Sequence, residues 1–311
     1  MFYADSLAFL GPQGKSPILD PEINLDLAHV TAAPPWFTKT EEILSAVRNF
    51  RRDLERQSIR IITSRDSVDG NGLGIVLGLQ GPPHDATPSN LKMLYDAGVR
   101  IMQIAYQDSN PYGGGLLHPD LPLTREGKEF LSYCEDIGFI LDLSHAGHRT
   151  ASEALDHFMG AVCVSHTGIY EKHPNPRNLP MSTLMRIQNR GYVGLYTITF
   201  GLSGWDNSLA AFQDHLEYFL LVAGYENLGI GSDGAYQEQN PVALREQFGF
   251  MKAKIDPDGK IGARSPDQPA ELNSPERMRI LESVIREIVP EHTLPGIMGQ
   301  NFQRFLRENL R

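Results

Sequence analysis

Residues 139–166, FILDLSHAGHRTASEALDHFMGAVCVSH, contain two apolar runs that both end in Ser-His. The runs Phe139–His145 and Ala161–His166 flank an amphipathic segment from Thr150 to Phe158. Short apolar strands that alternate with amphipathic helices are typical of parallel β-α-β units, whose strands are covered on both faces. This stretch therefore predicts two parallel strands and a connecting helix, with a histidine at the end of each strand.

The same alternation runs along the whole chain and gives eight candidate strands. They are Phe2–Asp5, Ile23–Ala28, Ile75–Gln80, Ile101–Tyr106, Phe139–His145, Ala161–His166, Tyr192–Ile198 and Leu228–Asp233. The second is weak, and Ile59–Thr63 competes with it for the same place. Eight parallel strands with helices between them form a (β/α)8 TIM barrel. We expect residues 1–311 to form one such domain, with packing helices at the C-terminal end.

Two helix starts and one loop are also predicted. Thr38–Glu41 has the pattern of a capping box for a helix that runs through Arg56. Leu123–Glu126 opens a second helix that should end at Gly138. The segment from Asp256 to Asn273 is rich in Pro, Gly and charged residues and is expected to be a surface loop, not a domain linker, in the part of the chain after the eighth strand where only packing helices remain.

Composition narrows the possible partners. The net charge of −10 and the pI near 5.5 argue against binding to nucleic acid or to an anionic membrane. No apolar run approaches the roughly 20 residues that span a bilayer. The first residues lack a basic region followed by an apolar stretch, so no secretory signal is predicted. The only cysteines, Cys134 and Cys163, are expected to be reduced thiols of a cytoplasmic protein.

His145 and His166 end consecutive predicted strands. Neighbouring strands lie about 4.8 Å apart, so the two imidazoles can share one metal ion. The alternative is a hydrogen-bonded pair of histidines without an ion. Asp142, three residues before His145, is expected either to orient an imidazole or to form a structural ion pair.

Asp233 lies in Gly231-Ser232-Asp233-Gly234 at the end of the last predicted strand. A carboxylate there can hold a water molecule and take its proton. An aspartate that only stabilises the turn is the alternative, because glycine neighbours favour both. Two imidazoles and a late carboxylate at strand ends are typical of a barrel of the metal-dependent hydrolase type.

Together these motifs resemble the membrane (renal) dipeptidase family, peptidase family M19, of the amidohydrolase superfamily. The resemblance rests on Asp142–His145, Ser165–His166 and Gly231–Gly234. It extends to three further stretches: Ala105–Asn110, the run His173–Pro180 and Gly299–Phe302. It covers nearly the whole chain in order. It implies a (β/α)8 barrel and a zinc dipeptidase acting on a small dipeptide-like substrate, with homodimers usual.

Carried over from the family, His145 and His166 match the histidines of the more buried metal. Arg177 matches the arginine that binds the terminal carboxylate of the substrate, and Asp233 matches the acid/base residue. Tyr106 falls at a substrate-contacting position.

Typical members of the family bind two zinc ions, and this chain departs from the family pattern in two places, both at the second ion. The family begins with His-x-Asp at the end of its first strand, where this chain has Tyr3-Ala4-Asp5, so Asp5 remains and the histidine does not. The bridging glutamate of the family is replaced by Gln80, a neutral and weaker ligand. We therefore expect one zinc ion held by His145 and His166, with Gln80 and Asp5 as further candidate ligands, and a weakened second site.

Three functions remain open at this stage. The first is a hydrolase that uses a metal-activated water to cleave a small carboxylate-bearing amide or dipeptide. The second is a catalytically silent, dipeptidase-like pseudoenzyme. The third is a member of the family with changed chemistry.

Overall fold

The structure is a computed structural model that describes residues 1–10, 22–238, 240, 246, 248, 249, 252, 253 and 256–311. Its strands are β1 Ala4–Asp5, β2 Ala8–Phe9, β3 Leu27–Thr31, β4 Arg60–Ile62, β5 Gly74–Leu79, β6 Val99–Gln103, β7 Ile140–Asp142, β8 Val162–Thr167, β9 Tyr192–Leu195, β10 Leu228–Ile230 and β11 Gly234–Ala235. Its helices are α1 Thr40–Arg56, α2 Pro88–Asp96, α3 Arg125–Ile137, α4 His148–His157, α5 Met181–Gln188, α6 Thr199–Leu202, α7 Leu209–Ala223, α8 Arg277–Arg286 and α9 Asn301–Asn309.

Eight of these strands pair in parallel in the order β1-β3-β5-β6-β7-β8-β9-β10. The two ends of this sheet approach each other, because the Ser6 amide donates to the Ile230 carbonyl oxygen at 2.8 Å. Helices pack on the outer face of the sheet, and the larger apolar core lies between them and the strands. The predicted (β/α)8 barrel is confirmed.

The inside of the barrel has an apolar lower layer and a polar layer nearer its mouth. Leu27, Ile101 and Tyr192 belong to the apolar layer. One step towards the carboxyl ends of the strands, the Ser6 hydroxyl lies 2.6 Å from the Ser165 carbonyl oxygen. A Cβ on Gly231 would lie only 1.8 Å from that carbonyl oxygen. Glycine is therefore required there for β8 and β10 to approach each other across the barrel.

The elements that surround the site depart from the sequence prediction in several places. The strands β6, β7, β9 and β10 each end three residues before the predicted end. The second barrel strand is β3, which begins four residues later than predicted because the amides of Asp26 and Leu27 donate to the Tyr3 carbonyl oxygen. The competing segment forms β4, which pairs with β5 outside the eight-strand path.

The prediction of a capping box at Thr38 is wrong. Helix α1 begins at Thr40 without a side-chain cap from its own turn. The amide and the hydroxyl of Thr40 both donate to Asp85, 45 residues away. The cap is therefore tertiary, and local sequence did not indicate it. The start of α3 is confirmed, with Thr124 as N-cap and Gly138 in the left-handed conformation at the end.

Within the described residues, no helix is long and apolar enough to cross a membrane. Cys134 and Cys163 are both buried free thiols.

Candidate active site

His145 and His166 meet at the barrel mouth. Their Nε2 atoms lie 2.8 Å apart, and both residues are at least 95 % buried. His145 follows β7 and has a φ of +64°, a left-handed conformation that is uncommon for a residue with a side chain. The turn directs its imidazole towards β8, where His166 lies. At this distance the two nitrogens must share either a proton or a cation.

The tautomer of His166 is set by a chain of hydrogen bonds. The Ser165 hydroxyl donates to Asp142 Oδ2 at 2.6 Å, so it can only accept from His166 Nδ1, which lies 2.8 Å away. The proton of His166 is therefore on Nδ1, and the Nε2 lone pair points to His145. Asp142 forms no ion pair in the described part of the chain, so the geometry supports its predicted role in orienting an imidazole.

Both imidazoles are neutral. Burial and the nearby Arg177 guanidinium hold the pKa of His145 well below its usual range. Burial, followed by the charges of His145 and Arg177, does the same to the pKa of His166. A neutral imidazole keeps a lone pair, which is the form that a metal ion requires.

Arg177 and Asp233 form a buried ion pair beside the histidines. Arg177 Nη2 lies 2.6 Å from Asp233 Oδ2, and the side chains are 7 % and 10 % exposed. Burial raises the pKa of Asp233 to about 6, although Arg177 opposes this. Burial, the largest single cause, lowers the pKa of Arg177, but Asp233, Tyr196 and Tyr106 together outweigh it, so the pKa is raised overall. Asp233 has a φ of +52°, so this strand end also turns sharply into the mouth.

Aromatic rings and one amide complete this part of the mouth. The Tyr106 ring packs against His145 with centroids 4.4 Å apart, and burial raises its pKa to about 12, so its hydroxyl is neutral. The rings of Tyr196 and Phe200 lie 5.5 and 5.9 Å from the Arg177 guanidinium carbon. Gln80 is 2 % exposed, and its Oε1 has no hydrogen-bond partner among the described residues.

The sequence of the chain matches a known protein family. The sequence model of the membrane dipeptidase family, peptidase family M19, matches residues 28–246. The chain belongs to this family. It is similar to an uncharacterized dipeptidase of Schizosaccharomyces pombe, with 31 % identity over 186 residues that cover 56 % of this chain and 44 % of the relative. It is also similar to the dipeptidase tcpJ of Claviceps purpurea, with 31 % identity over 47 % of this chain and 36 % of the relative. The chain thus aligns with less than half of these curated relatives.

Solved structures of low identity share the fold. An amidohydrolase from Pseudomonas aeruginosa superposes with a TM-score of 0.83 at 21 % identity, over 99 % of this chain and 96 % of that one. A metallopeptidase from Rhodobacter sphaeroides, solved with a phosphinate mimic of the dipeptide L-Ala-D-Ala, gives 0.73 at 16 % identity over 100 % and 99 %.

The first strand of this dipeptidase-family barrel places its residues differently from what the motif comparison suggested. Tyr3 precedes β1, and its carbonyl oxygen accepts from the amides at the start of β3, so Tyr3 lies at the end of the barrel opposite the histidines. Its hydroxyl donates to Glu282 on α8. Tyr3 therefore does not occupy a vacant ligand position at the mouth.

Asp5 is buried and already fully hydrogen bonded. Its Oδ1 accepts the amides of Leu7 and Ser232, and its Oδ2 accepts the hydroxyls of Ser232 and Tyr236 at 2.5 and 2.7 Å. No contact joins Asp5 to His145 or His166 in the described structure. Among the described residues, no group of three or more His, Cys, Asp or Glu side chains is arranged to hold one ion.

The loop after the last barrel strand contributes to the site, which was not predicted from the sequence. Residues 256–273 were predicted only to be a surface loop, yet Gln268 Nε2 donates to the carbonyl oxygens of Ser232 and Asp233 at 3.1 and 3.3 Å. Asp267 lies next to it, and its charge raises the pKa of Asp233. The position of this loop between the eighth strand and the next helix was the available signal, because such loops build the active sites of TIM barrels.

His29 on β3 also lies close to the site, and this position was not predicted from the sequence. Its Nδ1 lies 2.7 Å from the Ser6 carbonyl oxygen, and its Nε2 has no partner among the described residues. It is buried under the mouth in the polar layer of the barrel. The strand was predicted to end at Ala28, so its interior position was not apparent from sequence.

Proposed function

We propose that this protein is a metal-dependent hydrolase that cleaves a small carboxylate-bearing amide or dipeptide. The observation that carries the proposal is the pair of facing Nε2 atoms of His145 and His166, 2.8 Å apart and next to the Arg177–Asp233 ion pair. Membership of the dipeptidase family supports the same reaction class.

A divalent cation fits the residues of the mouth. Asp5 and Asp142 each accept four hydrogen bonds from amide and hydroxyl groups, which is the arrangement of a carboxylate, although burial raises the pKa of Asp5. The two carboxylates add negative charge to a mouth where the neutral imidazoles of His145 and His166 offer nitrogen lone pairs. The unpartnered Gln80 Oε1 adds a neutral oxygen donor. A buried site with surplus negative charge and free nitrogen lone pairs favours a cation.

We propose that His145 and His166 hold one zinc ion, with Gln80 as a third ligand. Bound there, the ion would polarise a carbonyl group and lower the pKa of water. Asp5 could join only by releasing the Ser232 or Tyr236 hydroxyl, so its first role in this proposal is to position Ser232 and the adjoining Asp233. Gln80 is neutral and cannot bridge two dications well, which argues for one tightly bound ion rather than two.

The remaining residues would bind substrate and move a proton. With a pKa of about 6, Asp233 is ionised at neutral pH and can accept a proton from water. The guanidinium of Arg177 matches a carboxylate, to which it can donate two hydrogen bonds. Tyr106 would keep the His145 ring in place through its packing contact.

The test is metal analysis together with hydrolysis of a dipeptide panel. Protein purified without chelator should carry one equivalent of zinc and hydrolyse at least one dipeptide. His166→Ala should lose the metal and reduce hydrolysis by more than about a hundredfold, which exceeds the effect expected for an orienting residue. His157→Gln, at the exposed end of α4, is the matched control and should change neither.

Two tight equivalents of zinc would refute the one-metal proposal. Protein that binds no zinc and hydrolyses no dipeptide would instead favour the pseudoenzyme.

A further inference from the structure

Arg277 is a buried cation next to the turn that carries Asp233. It is the first residue of α8 and is 2 % exposed. Its Nη1 lies 3.3 Å from the Ser232 hydroxyl, and its Nη2 donates to the Leu272 carbonyl oxygen at 2.7 Å. A Cβ on Gly234 would lie only 1.8 Å from Nη1. The guanidinium therefore lies against both chain neighbours of Asp233.

The position of Arg277 is unfavourable both for the helix and for the guanidinium itself. A cation in the first turn of a helix lies at the positive end of the helix dipole. Burial lowers the pKa of Arg277, and its Nε has no hydrogen-bond partner among the described residues. A buried charge is stable only where an opposite charge or hydrogen bonds compensate it. The needs of α8 alone therefore do not explain an arginine at this position.

Asp5 supplies the opposite charge through one hydroxyl group. The Ser232 hydroxyl donates to Asp5 Oδ2, so its oxygen is free to accept from Arg277 Nη1. The Tyr236 hydroxyl donates to the same Oδ2 at 2.7 Å, and the centroid of the Tyr236 ring lies 5.0 Å from the guanidinium carbon. Burial raises the pKa of Asp5, and a nearby cation favours its ionised form. Ser232 thus lies between a buried cation and a buried carboxylate.

We propose that Arg277 is a positioning residue for Asp233. It holds the turn from both sides and balances the charge of Asp5. Asp233 thereby keeps the left-handed conformation in which its carboxylate pairs with Arg177. The inference rests on the proposed function only where it treats Asp233 as the proton acceptor. The alternative is that Arg277 does no more than fasten α8 to the barrel.

The first measurement does not depend on activity. The carbon-13 signal of the Asp233 carboxyl group is followed against pH by NMR in aspartate-labelled protein, and Asp233→Asn assigns the signal. The charged groups that act on Asp233 are Arg177, Asp267 and Asp5. In Arg277→Met the turn loses its cation, so the pairing of Asp233 with Arg177 should weaken. The pH midpoint of the Asp233 titration should then rise by about one unit or more.

Two further variants and one control separate positioning from stability. Arg277→Lys keeps the cation and should keep the midpoint near that of the wild type. Gly234→Ala displaces the guanidinium instead of removing it and should raise the midpoint, which tests the inference even if Arg277→Met does not fold. Arg100→Met is the matched control, because Arg100 is also buried and packs on the Tyr95 ring near the start of β6, at the opposite end of the barrel. It should lower stability and leave the midpoint unchanged.

The second measurement is dipeptide hydrolysis. In Arg277→Met, kcat should fall at least about tenfold with KM unchanged, because a misplaced proton acceptor slows the chemical step and not binding. Arg277→Lys should recover most of the rate. The inference is overturned if the Asp233 midpoint is the same in Arg277→Met as in the wild type, or if Arg100→Met shifts it equally. A shifted midpoint in a protein that hydrolyses no dipeptide refutes the proposed function alone, and hydrolysis with an unshifted midpoint refutes this inference alone.

Discussion

Asp142 and Asp5 are held in almost the same way on two sides of the barrel, but only one side carries a histidine pair. Each aspartate accepts the amide two residues later in its own chain, from Ser144 and from Leu7. Each also accepts the amide and the hydroxyl of a serine on the neighbouring segment, Ser165 or Ser232.

The residue after each serine is one of the proposed site residues, His166 on one side and Asp233 on the other. The difference lies three residues after each aspartate. That position is His145 on the β7 side and Ala8 on the β1 side. We infer that the buried aspartates position the residues that follow the serines, and that only the β7 side has the second imidazole that the proposed metal site needs.

The largest effect should come from removing the support on the histidine side. We expect Asp142→Asn to weaken zinc binding by about 10- to 100-fold, because Ser165 would no longer fix the His166 tautomer. Asp5→Asn should leave zinc affinity nearly unchanged while lowering the free energy of unfolding by about 1–3 kcal/mol. Zinc affinity by competition with a chelator and thermal unfolding measure the two effects. If both variants lose zinc equally, the two sides are not functionally different.

A change at Gln80, the proposed ligand that follows β5, should alter zinc affinity less than Asp142→Asn does. In the proposed site, Gln80→Glu replaces a neutral ligand with an anionic one and should raise zinc affinity by about tenfold. Gln213→Glu on α7 adds the same charge away from the mouth and should have no effect. A chelator titration of both variants is sufficient. An unchanged affinity for Gln80→Glu would remove Gln80 from the ligand set.

The pH dependence of hydrolysis tests the Asp233 side. Since the pKa of Asp233 is raised to about 6, kcat/KM should fall as the pH drops through about 6 and the carboxylate gains a proton. Arg177→Ala removes the cation that lowers this pKa, so the acidic limb should move to higher pH. Arg177→Lys keeps the charge and should leave the limb near its original position. A limb that stays fixed in the alanine variant would contradict this coupling.

The smallest effect is expected at Tyr3. Tyr3→His should bind no additional metal, because this residue lies at the opposite end of the barrel and contacts Glu282. The loss of that hydrogen bond should lower stability by about 1 kcal/mol. Metal stoichiometry and thermal unfolding measure both results. A second zinc equivalent in Tyr3→His would show that the first strand is placed differently.

Sequence alone predicted the parts of the molecule that local pattern determines. The apolar runs before His145, His166 and Asp233 identified three strands, because a buried parallel strand needs a continuous apolar run, although β7 and β10 end three residues before His145 and Asp233. The barrel followed from the alternation of such runs with helices. The roles of the individual site residues stay predictions until they are tested.

What sequence did not predict depends on contacts between distant segments. The register of β1 was misjudged at Tyr3 because it is set by pairing with β3, 23 residues away. The role of Asp5 depends on Ser232 and Tyr236, more than 220 residues later. The loop that carries Asp267 appeared unstructured in composition, and only its hydrogen bonds to Thr199 and to the end of β10 place it at the mouth.

The left-handed backbone at His145 and Asp233 has a consequence for how this protein can change. Such conformations store roughly 1–3 kcal/mol each, and they persist only where the surroundings enforce them. Glycine or asparagine adopts them at lower cost. Mutants selected only for heat resistance should therefore tend to lose these two side chains first. The product of that selection would be a stabilised barrel without the proposed metal ligand and proton acceptor, so the proposed activity and thermal tolerance are opposing goals at these two positions.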